Sequence, residues 1–162
     1  MMLTLAVGLA ACRGPDPEQA RHDLESMKAA VNAELRDMAD TLTASGITVE
    51  RANGGVESGG MGGYASEDYS VSALLVADGE EGDQIEKATA ALEQSGWSRT
   101  AGDLEAPEPW VQLQREDFRT TISWTKFGPR ELWFSLDQDG EVEVPEDTPI
   151  VDRNNSEDIP LD

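Results

Sequence analysis

The chain holds one thiol, Cys12, and one imidazole, His22, so nucleophilic and general-base chemistry have a single candidate each. Histidine is the usual general base because its ordinary pKa lies near neutrality. His22, however, is flanked by Arg21 and Asp23 and falls off the apolar stripe around it, which predicts a solvated helix-surface position. Residues 54–63 carry six glycines, as a phosphate-cradling loop would, but no Gly-Lys-Ser/Thr follows and no helix start receives them. A hairpin loop is expected there. Asp137-Gln138-Asp139-Gly140-Glu141 opens like a calcium loop, yet it lacks the third spaced carboxylate before the glycine and the glutamate at the twelfth position, which predicts a β-turn. The motifs His-Glu-X-X-His and Gly-X-Ser-X-Gly are absent. With 33 acidic residues, close carboxylate pairs arise by chance, so none marks a glycosidase pair. No catalytic residue, cofactor or metal ligand is expected, and the chain reads as non-enzymatic.

Cys12 carries a different chemistry. Residues 1–11 read Met-Met-Leu-Thr-Leu-Ala-Val-Gly-Leu-Ala-Ala without a charge. The run is shorter than the ~20 residues a spanning helix needs and has the length of a signal-peptide core. It ends in Leu9-Ala10-Ala11-Cys12, and the polar Arg13-Gly14-Pro15 follows. A Leu, two small residues and a Cys resemble the lipobox of bacterial lipoproteins. The cysteine sulfur is the nucleophile for diacylglyceryl transfer, and small residues before it fit the signal-peptidase cleft. The resemblance implies removal of residues 1–11, lipidation of Cys12, a tether over residues 12–15 and a place on the extracytoplasmic face of the plasma membrane. Two or more acyl chains would hold it firmly, where one binds only marginally. No Lys or Arg precedes the apolar core, and the tandem Met1-Met2 suggests either a translation start upstream of Met1 or a mis-called n-region. The Ala/Gly/Asp/Glu-rich composition and the helix-Ser-Gly-Trp-strand layout further resemble small lipoproteins of high-GC Gram-positive bacteria. In a Gram-negative host, Arg13 in place of that family's Asp retention signal would imply the outer membrane.

Charge narrows the partners. Against 12 Lys and Arg stand 33 Asp and Glu, a net −21. Such a surface repels nucleic acid and anionic bilayers, so no nucleic-acid partner is expected and membrane attachment rests on the lipid anchor. A single Cys allows no intrachain disulfide and no Cys-X-X-Cys pair.

The elements that would position any site follow from periodicity. Asp16-Pro17-Glu18 starts a helix, and Leu24, Met27, Val31, Leu35, Met38 and Leu42 make one apolar stripe before Gly46 stops it and Ile47 folds back on Leu42. In a second helix Asp83 caps and Glu86 completes a capping box. Ile85, Ala88 and Leu92 form its stripe, and Ser95-Gly96-Trp97 closes it. Strands are expected over residues 47–51, 69–76, 97–100, 110–115, 118–125 and 131–136, with an edge strand at 141–144. This order predicts an α+β two-layer sandwich, an antiparallel sheet with two helices on one face, and the paired Ser-Gly junctions suggest a diverged α-β-β repeat. A single domain is expected over residues 16–144. Residues 145–162, acidic, proline-bearing and without an aromatic, read as a disordered tail dispensable for stability.

Alternation assigns Phe118, Ile122, Trp124, Leu132, Phe134 and Leu136 inward, with Trp97 and Trp124 read as core. Trp110 and Trp133 fall out of phase with Val111, Leu113, Leu132 and Phe134, which turns them to the face away from the helices as a contact surface. The expected function is a binding or interaction module on the cell envelope, its partner an envelope protein or ligand. The alternative is a lipid or small-molecule carrier, which would need a cavity of ~300–1,000 Å³.

Overall fold

The computed structural model describes residues 16–59, 65–125, 129–145 and 156–161; Cys12 and the expected signal peptide lie outside the described residues. Helix α1 (Pro17–Ala44) begins where the Asp16 carboxylate accepts from the Glu18 N–H at 3.0 Å. It ends where Gly46, at φ +73°, lets the Ile47 N–H return to the Leu42 carbonyl at 3.0 Å, satisfying an orphan acceptor. Helix α2 (Glu81–Gln94) ends the same way, with Gly96 at φ +102° and the Trp97 N–H 3.1 Å from the Leu92 carbonyl. Its start corrects the sequence reading. Glu80 holds the cap position without a side-chain cap bond, so Asp83 sits inside the first turn. Gly79, at φ +118°, turns the chain early, and its carbonyl accepts from Gln84 Nε2 at 2.7 Å. Glu81 and Asp83 then both lie at the positive end of the helix.

One antiparallel sheet carries β1 (Thr48–Gly59), β2 (Ala65–Val76), β3 (Ser98–Asp103), β4 (Trp110–Arg115), β5 (Phe118–Trp124), β6 (Leu132–Gln138), β7 (Val142–Val144) and β8 (Glu157–Asp158). The order is β3-β4-β5-β6-β2-β1-β8, with β7 on the length of β2 that β6 leaves free. Inward residues of the sheet, Val71, Ala73, Val111, Ile122, Phe134 and Leu136 among them, join Leu35, Met38, Leu42, Ile85 and Leu92 of the helices in one core cluster. The protein is thus an α+β two-layer sandwich with both helices on one face.

The two α-β-β units share more than their helix ends. Register slips by one residue between Val49 and Arg51 in β1, and again between Arg99 and Ala101 in β3. Both bulges follow the same Ser-Gly helix stop at the same distance along the chain. Each lies on the outer strand of a hairpin, where a bulge bends the strand and discourages pairing with other chains.

Two expectations on loops and ends are corrected. The glycine-rich segment is not a loop from Gly54 onward: β1 runs through Gly54 and Gly55 to Gly59, paired to β2 throughout. The reason is Tyr69. Its ring is buried over Gly54, where an added Cβ would meet the phenol oxygen at 1.9 Å, while nothing lies within 4 Å of a Cβ on Gly55. Gly54→Ala should therefore cost about 2–3 kcal/mol through overpacking, a thermal-midpoint drop of roughly 4–12 °C, whereas Gly55→Ala should stay within ~0.5 kcal/mol. Paired melting curves check this. The domain also does not end at Val144. Glu157 and Asp158 pair with Gly54 and Asn53 of β1, and Ile159 is buried, its N–H donating to the Ala52 carbonyl and its side chain lying beside Gly54.

Candidate functional site

On the helix-free face, register places one cross-strand row: Trp110 opposite Ser123, Ser123 opposite Trp133, Trp133 opposite Leu74 and Leu74 opposite Arg51. With strands ~4.8 Å apart, Trp110 and Trp133 stand about 10 Å from each other. Alternation placed both on this face correctly, but each is half-buried, and they are not equivalent.

Trp133 is engaged by its own chain. The Arg51 guanidinium lies 5.2 Å from its ring, its indole N–H donates to Glu131 at 3.2 Å, and Arg51 and Glu131 pair at 3.6 Å. Beside it Leu74 is buried, an apolar residue on the outer face that needs such cover. Trp133→Ala should cost about 1–2 kcal/mol by urea unfolding, against ~3–5 kcal/mol for the buried Trp97→Ala. As a contact surface Trp133 is already occupied.

Trp110 is not. It lines an open cleft of about 710 Å³ together with Ala106, Pro107, Glu108, Thr121, Ser123 and Trp124. The far wall comes from the segment between β3 and β4, shaped where Asp103 accepts from the Glu105 and Ala106 N–H groups, both at 3.0 Å. Trp124, read as core from sequence, is half-buried at the core margin instead. It stands at the end of β5, its indole N–H 3.4 Å from the Glu81 carbonyl and its ring under the Arg130 guanidinium at 5.8 Å. Arg130 grips Glu81 with two bonds of 2.6 and 2.5 Å. Those hydrogen bonds hold the Glu81 carboxyl below its ordinary range, so this clamp is charged on both sides at neutral pH. Among the described residues, the Trp110 indole N–H and the Thr121 and Ser123 hydroxyls have no protein partner.

The other residues singled out from sequence lie elsewhere. His22 is exposed on α1, where its carbonyl accepts from Ser26 Oγ at 2.8 Å. Asp137 and Asp139 are held by Arg119 at 2.8 and 3.6 Å. Among the described residues no group of three or more His, Cys, Asp or Glu is arranged to hold a metal ion. The cleft itself had no sequence signal, since residues 104–109 follow no period that marks them as a wall.

The cleft sits at one end of the fold. Trp110, the end of β5, the start of α2 and the stop of α1 gather where β1 begins, because Thr48 pairs with Val76 and α1 turns tightly into β1. Helix α1 runs back about 42 Å from there at 1.5 Å per residue, so Asp16 lies toward the opposite end. No protein-family model, no curated protein and no solved structure matches the chain.

Proposed function

We propose that the protein is a lipid-anchored, non-enzymatic binding module of the cell envelope, held through Cys12 and presenting the Trp110 cleft. The observation that carries this reading is the placement of an uncommitted Trp in a cleft at the end of the fold away from the start of α1. A membrane attachment at Cys12 precedes α1 by four residues, so the helix spans the distance between bilayer and cleft. The charge of −21 holds the body of the domain off the surface, since an anionic bilayer repels it. A carrier for acyl chains fits less well. The core is filled, with Leu35, Ile122 and Phe134 at or below 1% exposure, and the cleft is open rather than enclosed.

Membrane fractionation tests the anchor: Cys12→Ser should move the protein to the soluble fraction, and retention in the membrane pellet would remove that half of the reading. Affinity purification from solubilised envelopes tests the cleft. Trp110→Ala should stay in the membrane and lose what the unaltered protein retains, and an unchanged set of partners would place binding elsewhere.

A further inference from the structure

We propose that the Trp110 cleft binds an uncharged saccharide; this rests on the reading of that cleft as the binding site and names its ligand class. Three of the four Trp rings carry the protein's own guanidinium groups, Arg115 on Trp97 at 5.3 Å, Arg130 on Trp124 at 5.8 Å and Arg51 on Trp133 at 5.2 Å. Among the described residues Trp110 carries none, and its half-buried ring lines the cleft, where it can serve as an apolar platform. The C–H face of a pyranose is apolar and flat enough to stack on such a platform, while its rim is a ring of hydroxyls.

The polar groups around Trp110 match that rim. The indole N–H is a donor, and the Thr121 and Ser123 hydroxyls both donate and accept, in a cleft whose 710 Å³ falls within the ~300–1,000 Å³ of small-molecule sites. A ligand rich in hydroxyls satisfies all three, since it too both donates and accepts. An ammonium or guanidinium ligand only donates and would leave the indole N–H facing a cation. An anionic sugar is disfavoured by the chain's net −21, with the nearby Arg130 paired to Glu81. The remaining class is a neutral sugar, free or as an exposed unit of a wall polysaccharide.

The test follows the Trp110 indole N–H by NMR in the purified protein. The probes are neutral trisaccharides built from glucose, galactose, mannose or N-acetylglucosamine, each titrated to about 10 mM to reach millimolar Kd values. At least one should shift that signal saturably. In the variants, which lack that signal, binding is followed through the backbone amides of Thr121 and Ser123: Trp110→Ala should weaken it at least tenfold while still unfolding in one cooperative transition, whereas Trp110→Phe, which keeps the platform and loses the donor, should weaken it about fivefold, the worth of one hydrogen bond. The same soluble ligand competing with a wall polysaccharide for the cleft assigns the polymer as source. No shift with any probe, or binding indifferent to Trp110→Ala, would overturn the proposal. A shift with tetramethylammonium chloride and none with saccharides would overturn it in favour of a cation site. None of these failures alters the outcome of membrane fractionation or affinity purification, so the ligand class and the wider reading fail separately.

Discussion

Deleting residues 156–162 should lower the thermal midpoint by roughly 8–16 °C, the equivalent of about 4 kcal/mol in a domain of this size. Most of that loss is apolar burial. Ile159 is 7% exposed, its N–H donates to the Ala52 carbonyl at 2.9 Å, and stripping a buried Ile from its site costs ~2–3 kcal/mol. A second share comes from Tyr69. Its phenol oxygen lies 3.1 Å from both Asn32 Oδ1 and Glu157 Oε1, and burial, then the Glu157 charge, pushes the phenol pKa up to about 12. The hydroxyl is therefore a neutral donor throughout the physiological range, and removing its carboxylate acceptor costs ~1–2 kcal/mol. Lys28 adds little, because its pair with Glu157 is about 40% exposed on both sides. Ile159→Ala should reproduce more than half of the deletion's effect by urea unfolding, and Lys28→Ala less than ~1 kcal/mol. A truncated protein with an unchanged midpoint would show that β8 adds nothing to the fold.

That strand was hidden in the sequence for a physical reason. Ile159 and Leu161 are two apolar residues on alternate positions around a proline, too short a period to rise above the acidic run before them. Their anchor lies more than a hundred residues away, where the Ile159 N–H donates to the Ala52 carbonyl. Helix stops were legible because their cause is local: a Gly able to take positive φ at residue 46 or 96, with an apolar residue after it, closes a helix whatever surrounds it. The start of α2 was not, since Gly79 rather than the better capping residue Asp83 decides where the chain turns. Alternation gave the faces of β4, β5 and β6, and so the side on which Trp110 and Trp133 stand. In β1, strict alternation from Ile47 and Val49 would turn Arg51 inward. The bulge at Glu50 returns Arg51 to the outer row, over Trp133. That one inserted residue closes Trp133 and leaves Trp110 as the open ring, which no local pattern states.

Arg115 ties the two helices to the sheet, and its removal should be the most costly single truncation of a charged side chain. At the end of β4 it donates to Glu34, to Asp37 at 2.7 Å and to the Ser95 carbonyl at 3.3 Å, with its guanidinium 5.3 Å from the Trp97 ring. Glu34 is the exposed party least of all, its side chain only 11% accessible against 60% for Asp37. Arg115→Ala leaves that carboxylate with its burial and without its partner, so a loss of about 3 kcal/mol is expected, below the upper range for a fully buried pair because water reaches Asp37. Acidity should reveal the cause. Burial raises the Glu34 pKa above its ordinary 4.5, the Arg115 charge and hydrogen bond pull it down, and Asp37 and Glu116 push it further up. A carboxyl raised in the folded state contributes stability that is full below the unfolded value and lost as pH rises through the folded one. Without Arg115 the raising influences stand unopposed, so the variant should recover part of its lost stability between pH 7 and pH 5, measured by urea unfolding at both. Glu34→Gln in the Arg115→Ala background removes the charge outright and should restore more stability at pH 7 than at pH 5. If the double variant is no more stable than Arg115→Ala at either pH, the loss comes from Trp97 and the Ser95 carbonyl, and Glu34 is a bystander to the joint between α1 and β4.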